Sequence, residues 1–156
     1  MLGIIGGSGL YEIDGLTDTE WVEVKSYFGI PSDKLYRGKM KGHEVVFLPR
    51  HGRSHNLSPS QINYKANIDA LKRLGVKNII SISAVGSLNE KLHPGCVVII
   101  DQFIDRTFAR EKSFFSEGIV AHVSMADPVC SRLGDYIEKS AKKFTKKVIR
   151  GGTYLV

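Results

Sequence analysis

Cysteine is scarce in this chain of 156 residues: only Cys96 and Cys130 occur, far apart and without a C-x-x-C pair. No disulfide framework is expected, and reduced thiols in a cytoplasm fit that usage. Long apolar runs are also missing. The longest are short pieces such as CVVII at 96–100, far below the ~20 residues of a membrane-spanning helix. The opening MLGIIGGSG has no basic start and its apolar run is broken by glycines, so no signal peptide is expected. Internal repeats, low-complexity tracts and Pro/Gly/Ser-rich linkers are lacking too. Acidic residues are absent from 139–156, where Lys139, Lys142, Lys143, Lys146, Lys147 and Arg150 supply six of the 22 basic residues. That stretch accounts for the whole net charge of +6, leaving 16 basic and 16 acidic residues elsewhere.

What is present suits a single globular domain. The chain is 42% apolar and 24% charged, and a domain of this length buries roughly 70% of its unfolded surface. Strands are expected near 2–6, 20–27, 35–40 and 43–48. A helix is expected over 62–74, with Ile62, Ala66, Leu71 and Leu74 on one side and Gly75 as its stop. The β-branched runs at 77–83 and 96–100 read as strands buried on both faces. Residues 102–127 read as a long loop, and loops of that length are usually functional or interfacial. A helix is expected over 129–146; Leu133, Ile137, Ala141, Phe144 and Val148 recur at spacings of three and four, with the lysines on its outer face. A solvated lysine face is favoured over a nucleic-acid stripe, because aromatic residues are not interleaved with the charges. The last stretch, VIRGGTYLV, is strand-like. Strands alternating with helices point to an α/β fold with a mixed or largely parallel sheet.

Three segments carry possible chemistry, and each follows a strand. In IIGGSG, 4–9, glycines let backbone N–H groups approach an anion and Ser8 adds a hydroxyl. The third glycine of G-x-G-x-x-G is absent and no Gly-Lys-Ser/Thr follows, so neither a dinucleotide fingerprint nor a Walker loop is present; a tight structural turn stays open. LPRHGRSHN, 48–56, gathers Arg50, His51, Arg53 and His55 around Gly52. Arg binds phosphate bidentately and His adds a donor tunable near neutrality. A surface basic loop, a histidine phosphatase with His51 as nucleophile, and a metal site from His51 and His55 are the rivals. The metal reading needs a helix that Pro49 and Gly52 oppose, and no third ligand stands nearby. SISAVGSL, 81–88, ends a strand in small residues, where ligands of open α/β sheets sit, although close packing explains it equally. If the three strands are neighbours, Ser8, Arg50, His51 and Ser83 converge on one anion.

GIIGGSGLY, LPRHGRSHNLSPSQINYKANIDALK, SAVGSL and VIIDQFIDRT together resemble the 5′-methylthioadenosine phosphorylases, a branch of the trimeric purine nucleoside phosphorylases. The resemblance implies a nucleoside phosphorylase-like mixed β-sheet flanked by helices. It implies phosphorolysis of a purine nucleoside to free purine and a sugar 1-phosphate, with 5-methylthioribose 1-phosphate formed from 5′-methylthioadenosine. Ser8, Arg50, His51, Ser83 and the Ala84 N–H would bind phosphate. Ala84, Val85 and Gly86 would lie beside purine and sugar, His55 would shape the sugar or 5′ pocket, and His122 would reach a neighbouring subunit. Asp101 and Asp105 have no assigned role. The resemblance further implies a cytoplasmic homotrimer in purine salvage, acting on small molecules without nucleic acid or membrane, with inorganic phosphate as co-substrate and neither metal nor cofactor. The family's general acid, its base-stacking aromatic and its ribose-contacting Met fall beyond Val156. Residues 1–156 are therefore expected to be the N-terminal part of a single nucleoside phosphorylase domain, incomplete for catalysis; an inactive remnant or accessory subunit is the alternative.

Overall fold

The computed structural model describes residues 1–7, 10, 13–115 and 118–156. They form two compact units, Met1–Val85 and Gly86–Val156. No helix among the described residues is long and apolar enough to cross a membrane.

The first unit contains strands β1 (Leu2–Gly6), β2 (Leu16–Val22), β3 (Leu35–Met40) and β4 (His43–Pro49), helix α1 (Tyr64–Arg73) and strand β5 (Asn78–Ser81). They build one mixed sheet in the order β2-β3-β4-β1-β5. β4, β1 and β5 run parallel, while β2 and β3 are antiparallel additions. β3 and β4 are joined by Lys41 and Gly42, both at positive φ, as a type I′ hairpin turn requires. β2 is bulged between Thr17 and Glu20, with Asp18 at φ 52°. β4 is the central strand: Val45, Val46, Phe47 and Leu48 are all buried, giving the continuous apolar run of a strand covered on both faces. β5 differs from the expectation of two-sided burial. It is an edge of this sheet, with Ile79 and Ile80 only half-buried.

α1 buries Ala66, Ala70 and Leu71, and the last two join Leu35, Val46 and Leu48 in the core. Gly3 permits the close approach of Val76, since a Cβ at Gly3 would stand 2.8 Å from Val76 Cγ1. Asn63 caps the helix, its side-chain oxygen accepting from Ala66 N at 3.0 Å. Gly75, at φ 86°, ends it in the left-handed conformation. The other face of α1 grips the segment between β2 and β3 by polar contacts. Asn63 Nδ2 donates to Phe28 O at 2.7 Å. Asn67, only 3% exposed, accepts from Ser32 N at 2.8 Å and donates to Ser32 Oγ at 2.9 Å. The Arg73 guanidinium lies 4.3 Å from the Tyr27 ring centre.

The second unit contains β6 (Val97–Ile99), β7 (Gln102–Ile104), α2 (Ser131–Ala141), β8 (Val148–Arg150) and β9 (Thr153–Leu155). β6 pairs with β8 and β7 with β9, both in parallel. The strand-like end of the chain is thus two strands broken by Gly151 and Gly152, at φ 90° and 137°. The expected loop over 102–127 begins instead with β7, and the described residues between 105 and 130 are irregular. α2 is shorter than the lysine pattern suggests. Leu133, Ile137 and Ala141 are half-buried, but Phe144 lies past the helix end, 89% exposed. Gly134 is buried because the Arg150 guanidinium packs directly on it, donating to Ser131 O at 3.0 Å.

Removing the Asn67 amide leaves the Ser32 N–H without its partner in a buried setting, a loss of about 1–3 kcal/mol. Asn67→Ala is therefore expected to lower the urea midpoint with an unchanged denaturant slope. An unchanged midpoint would mean that residues 26–34 are held mainly by their other contacts.

Candidate functional site

The three parallel strands end side by side. In register, Gly6 of β1 pairs with Pro49 of β4, and Ile5 pairs with Ser81 of β5. The chain beyond each strand is tied to the same end: Arg50 N donates to Gly6 O at 3.1 Å and Ile82 N donates to Ile5 O at 2.9 Å. The Arg50 side chain then crosses over β1. Its Nη1 donates to Ser83 Oγ at 2.6 Å and to Ile82 O at 2.9 Å. Nε and Nη2 carry no hydrogen bond among the described residues and remain as donors. The expected convergence is thus present for Arg50 and Ser83, with His51 next in the chain. Ser8 lies outside the described residues.

Residues 49–57 form a succession of tight turns, in which Gly52 N donates to Pro49 O at 2.9 Å, His55 N to Gly52 O at 3.0 Å and Leu57 N to His51 O at 3.1 Å. Gly52 has φ 76°, and a Cβ there would stand 2.8 Å from Asn56 Oδ1. His51 Nδ1 is 2.8 Å from Leu57 O. A carbonyl only accepts, so Nδ1 carries the proton and Nε2 is the nitrogen left for a ligand. The His55 ring stacks near that of His51, with centres 4.8 Å apart. Arg53 is spent elsewhere. Its backbone N–H and its Nε both donate to Asp33 Oδ2, at 2.8 and 3.0 Å, and its guanidinium lies 4.2 Å from the Trp21 ring centre. Burial pushes the Asp33 carboxyl upward, but the hydrogen bonds from Arg53 and Lys34 outweigh it and hold the group below its ordinary value.

The other candidates are spread along the chain. Ser83, Ala84 and Val85 are exposed and close the first unit, and Gly86 opens the second. His122 is exposed in the irregular stretch between β7 and α2. Asp101 Oδ1 accepts from Gly152 N at 3.1 Å, at the bend between β8 and β9. Asp105 Oδ1 accepts from Thr107 Oγ1 and N at 2.6 and 2.7 Å, and Lys112 Nζ stands 3.1 Å from its other oxygen. The Thr107 hydroxyl and N–H, then Lys112, hold Asp105 down to about 2, so it is an acceptor at neutral pH and not a proton donor. The Asp33–Arg53 pairing was beyond sequence reasoning, because the partners are 20 residues apart with no shared motif.

Comparison with known proteins agrees along the whole chain. The model of the Phosphorylase superfamily matches residues 1–156. The S-methyl-5′-thioadenosine phosphorylase of Rhodospirillum rubrum is 61% identical over 155 residues, covering 99% of this chain and 53% of that protein. The enzyme of the same name from Geobacter sulfurreducens is 52% identical, with 99% of this chain and 54% of that protein covered. Among solved structures, a methylthioadenosine phosphorylase from an antarctic soil metagenomic library superposes with a TM-score of 0.93 at 46% identity, over 99% of this chain and 55% of that one. The Schistosoma mansoni methylthioadenosine phosphorylase in complex with adenine gives 0.90 at 34% identity, over 99% and 64%. The chain spans about half the length of the curated relatives it matches. With its mixed sheet, its two helices and a family match from end to end, it has the nucleoside phosphorylase fold and belongs to the Phosphorylase superfamily.

Proposed function

We propose that residues 1–156 are the phosphate-binding part of an S-methyl-5′-thioadenosine phosphorylase, within a single nucleoside phosphorylase domain. The observation that carries this reading is the Arg50–Ser83 contact at the adjoining ends of three parallel strands, with the His51 ring turned by Leu57 O to leave Nε2 free. One guanidinium, one imidazole and a hydroxyl suit a dianion, and the Ser8 hydroxyl and Ala84 N–H complete the proposed set.

The chemistry follows from charge. Breaking the C1′–N9 bond of 5′-methylthioadenosine builds positive charge on the ribose and negative charge on the purine. Phosphate fixed against C1′ is both the nucleophile and the charge partner, and its C1′–O bond forms as the purine leaves. The products are adenine and 5-methylthioribose 1-phosphate, so the activity is that of a pentosyltransferase in purine salvage. No cofactor is needed, since phosphate is the co-substrate. Val85 and Gly86, with Ala84, are assigned to purine and sugar, His55 to the sugar or 5′ pocket, and His122 to a neighbouring subunit of a cytoplasmic homotrimer. The exposed Val120 and Val123 beside His122 in sequence suit an interface. The leaving purine needs a proton at N7. Asp105, held down to about 2, cannot supply it, and Asp101 is engaged at the β8–β9 bend.

Arg50→Ala removes a charge-assisted pair of about 1.5–3 kcal/mol. Phosphate affinity measured by titration calorimetry should fall by roughly tenfold or more; equal affinities would dismiss the site. Adenine release from 5′-methylthioadenosine should be at least ~10²-fold slower for residues 1–156 than for a chain extended to the relatives' length, because general acid help is worth about that much or more. Matching rates would place the acid within these residues. Light scattering on the extended chain should give three copies, and an active stable monomer would remove His122 from the site.

A further inference from the structure

We propose that Asp33 is a positioning residue of the anion site: through Arg53 it fixes the 49–57 turns that present Arg50 and His51. This rests on the phosphate reading of the site. The turns have no strand or helix of their own and hold two residues in the left-handed region, Gly52 and His55. Arg50 ties their start to the strand ends through Gly6, Ile82 and Ser83, and Arg53 ties their middle to Asp33. One Asp33 oxygen accepts both the backbone N–H and Nε of Arg53, so main chain and side chain are set together. Trp21 supports the guanidinium, and Tyr36 in turn packs on Trp21 with ring centres 4.7 Å apart. Asp33 has its own anchor next door, because Ser32 is bonded twice to the buried Asn67. A continuous path thus leads from Asn67 of α1 through residues 32 and 33 to the anion loop.

Such an arrangement does more for geometry than for stability. The Arg53 side chain is 43% exposed although that of Asp33 is only 14% exposed, and an ion pair open to water on one side contributes modestly to folding. A binding site is less forgiving, since its donors must stay within about half an ångström of their working positions. Arg53 itself is not a phosphate ligand here, because its N–H and Nε are taken by Asp33 and its guanidinium lies on Trp21. The Asp33 carboxyl is held below its ordinary value by Arg53 and Lys34 against the effect of burial, so the tie persists at neutral pH.

The test is calorimetric titration of the 156-residue chain with inorganic phosphate at fixed ionic strength, with melting temperatures read in parallel. Asp33→Ala and Arg53→Ala should each weaken phosphate binding about fivefold to tenfold while melting within a few degrees of the unmodified chain. The double variant should bind no worse than the weaker single one, because the two residues act as a unit. Asp33→Asn should recover most of the affinity, since its amide oxygen still accepts from the Arg53 N–H. Phosphate binding that is lost in Arg50→Ala but intact in Asp33→Ala keeps the phosphate site and overturns the positioning role. Additive losses, or a loss in Arg53→Ala alone, overturn it as well and make Arg53 a direct ligand. Should Asp33→Ala not fold, unaltered affinity in Arg53→Ala overturns it by itself. If Arg50→Ala binds like the unmodified chain, the phosphate reading fails and takes this inference with it.

Discussion

Asn67 is the single polar side chain buried among the described residues, and much of the first unit hangs on what it holds. A buried amide must be fully hydrogen-bonded or it destabilises the core. Asn67 meets that demand with one residue, accepting from the Ser32 N–H and donating to its hydroxyl. The result is directional in a way that apolar packing is not. Leu71 and Ala70 would tolerate α1 sliding slightly over β4, whereas the amide permits one placement of residue 32. Asn63, the cap one turn before it, makes a similar bond to Phe28 O. A segment without regular secondary structure thereby acquires fixed coordinates, and Asp33 inherits them.

The second constraint is the parallel trio β4-β1-β5. Parallel neighbours deliver their carboxyl ends to one edge of the sheet. Arg50 and Ser83, 33 positions apart in sequence, touch there because β1 separates their strands by only one strand's width. Charge in this chain is therefore local in its effects. The excess of +6 comes from residues 139–156 in the second unit. The proposed anion site in the first unit draws on one guanidinium and one imidazole.

Sequence patterns revealed the elements whose partners are close or whose burial is two-sided. β1, β3, β4 and α1 with its glycine stop fall where the pattern puts them. β2 begins earlier than its alternation suggests, because the bulge at Asp18 and Thr19 breaks the period of two. β7 escaped notice because three residues of strand make sense only beside β9, which lies 51 positions further on. The donors in LPRHGRSHN suggest an anion at Arg50 and His51, and the structure brings Arg50 against Ser83. The pattern gave no means of separating Arg53, whose partner Asp33 sits in a turn of unremarkable composition.

The pairing of β6 with β8 and β7 with β9 also has a temporal meaning. β3 and β4 are two residues apart, so their hairpin closes on a microsecond scale as soon as both exist. The first unit's sheet is complete once Ser81 has been made. β6 and β7 must instead wait for chain that is polymerised some fifty residues later. At bacterial and eukaryotic synthesis speeds of about 5–20 residues per second, that interval is on the order of 2–10 s. During it, Val97, Val98, Phe103 and Ile104 have their backbone edges open while a folded first unit already stands at the ribosome's exit. Nascent-chain protection is therefore needed most in the second unit, and the order of synthesis makes the proposed anion loop the older part of the molecule.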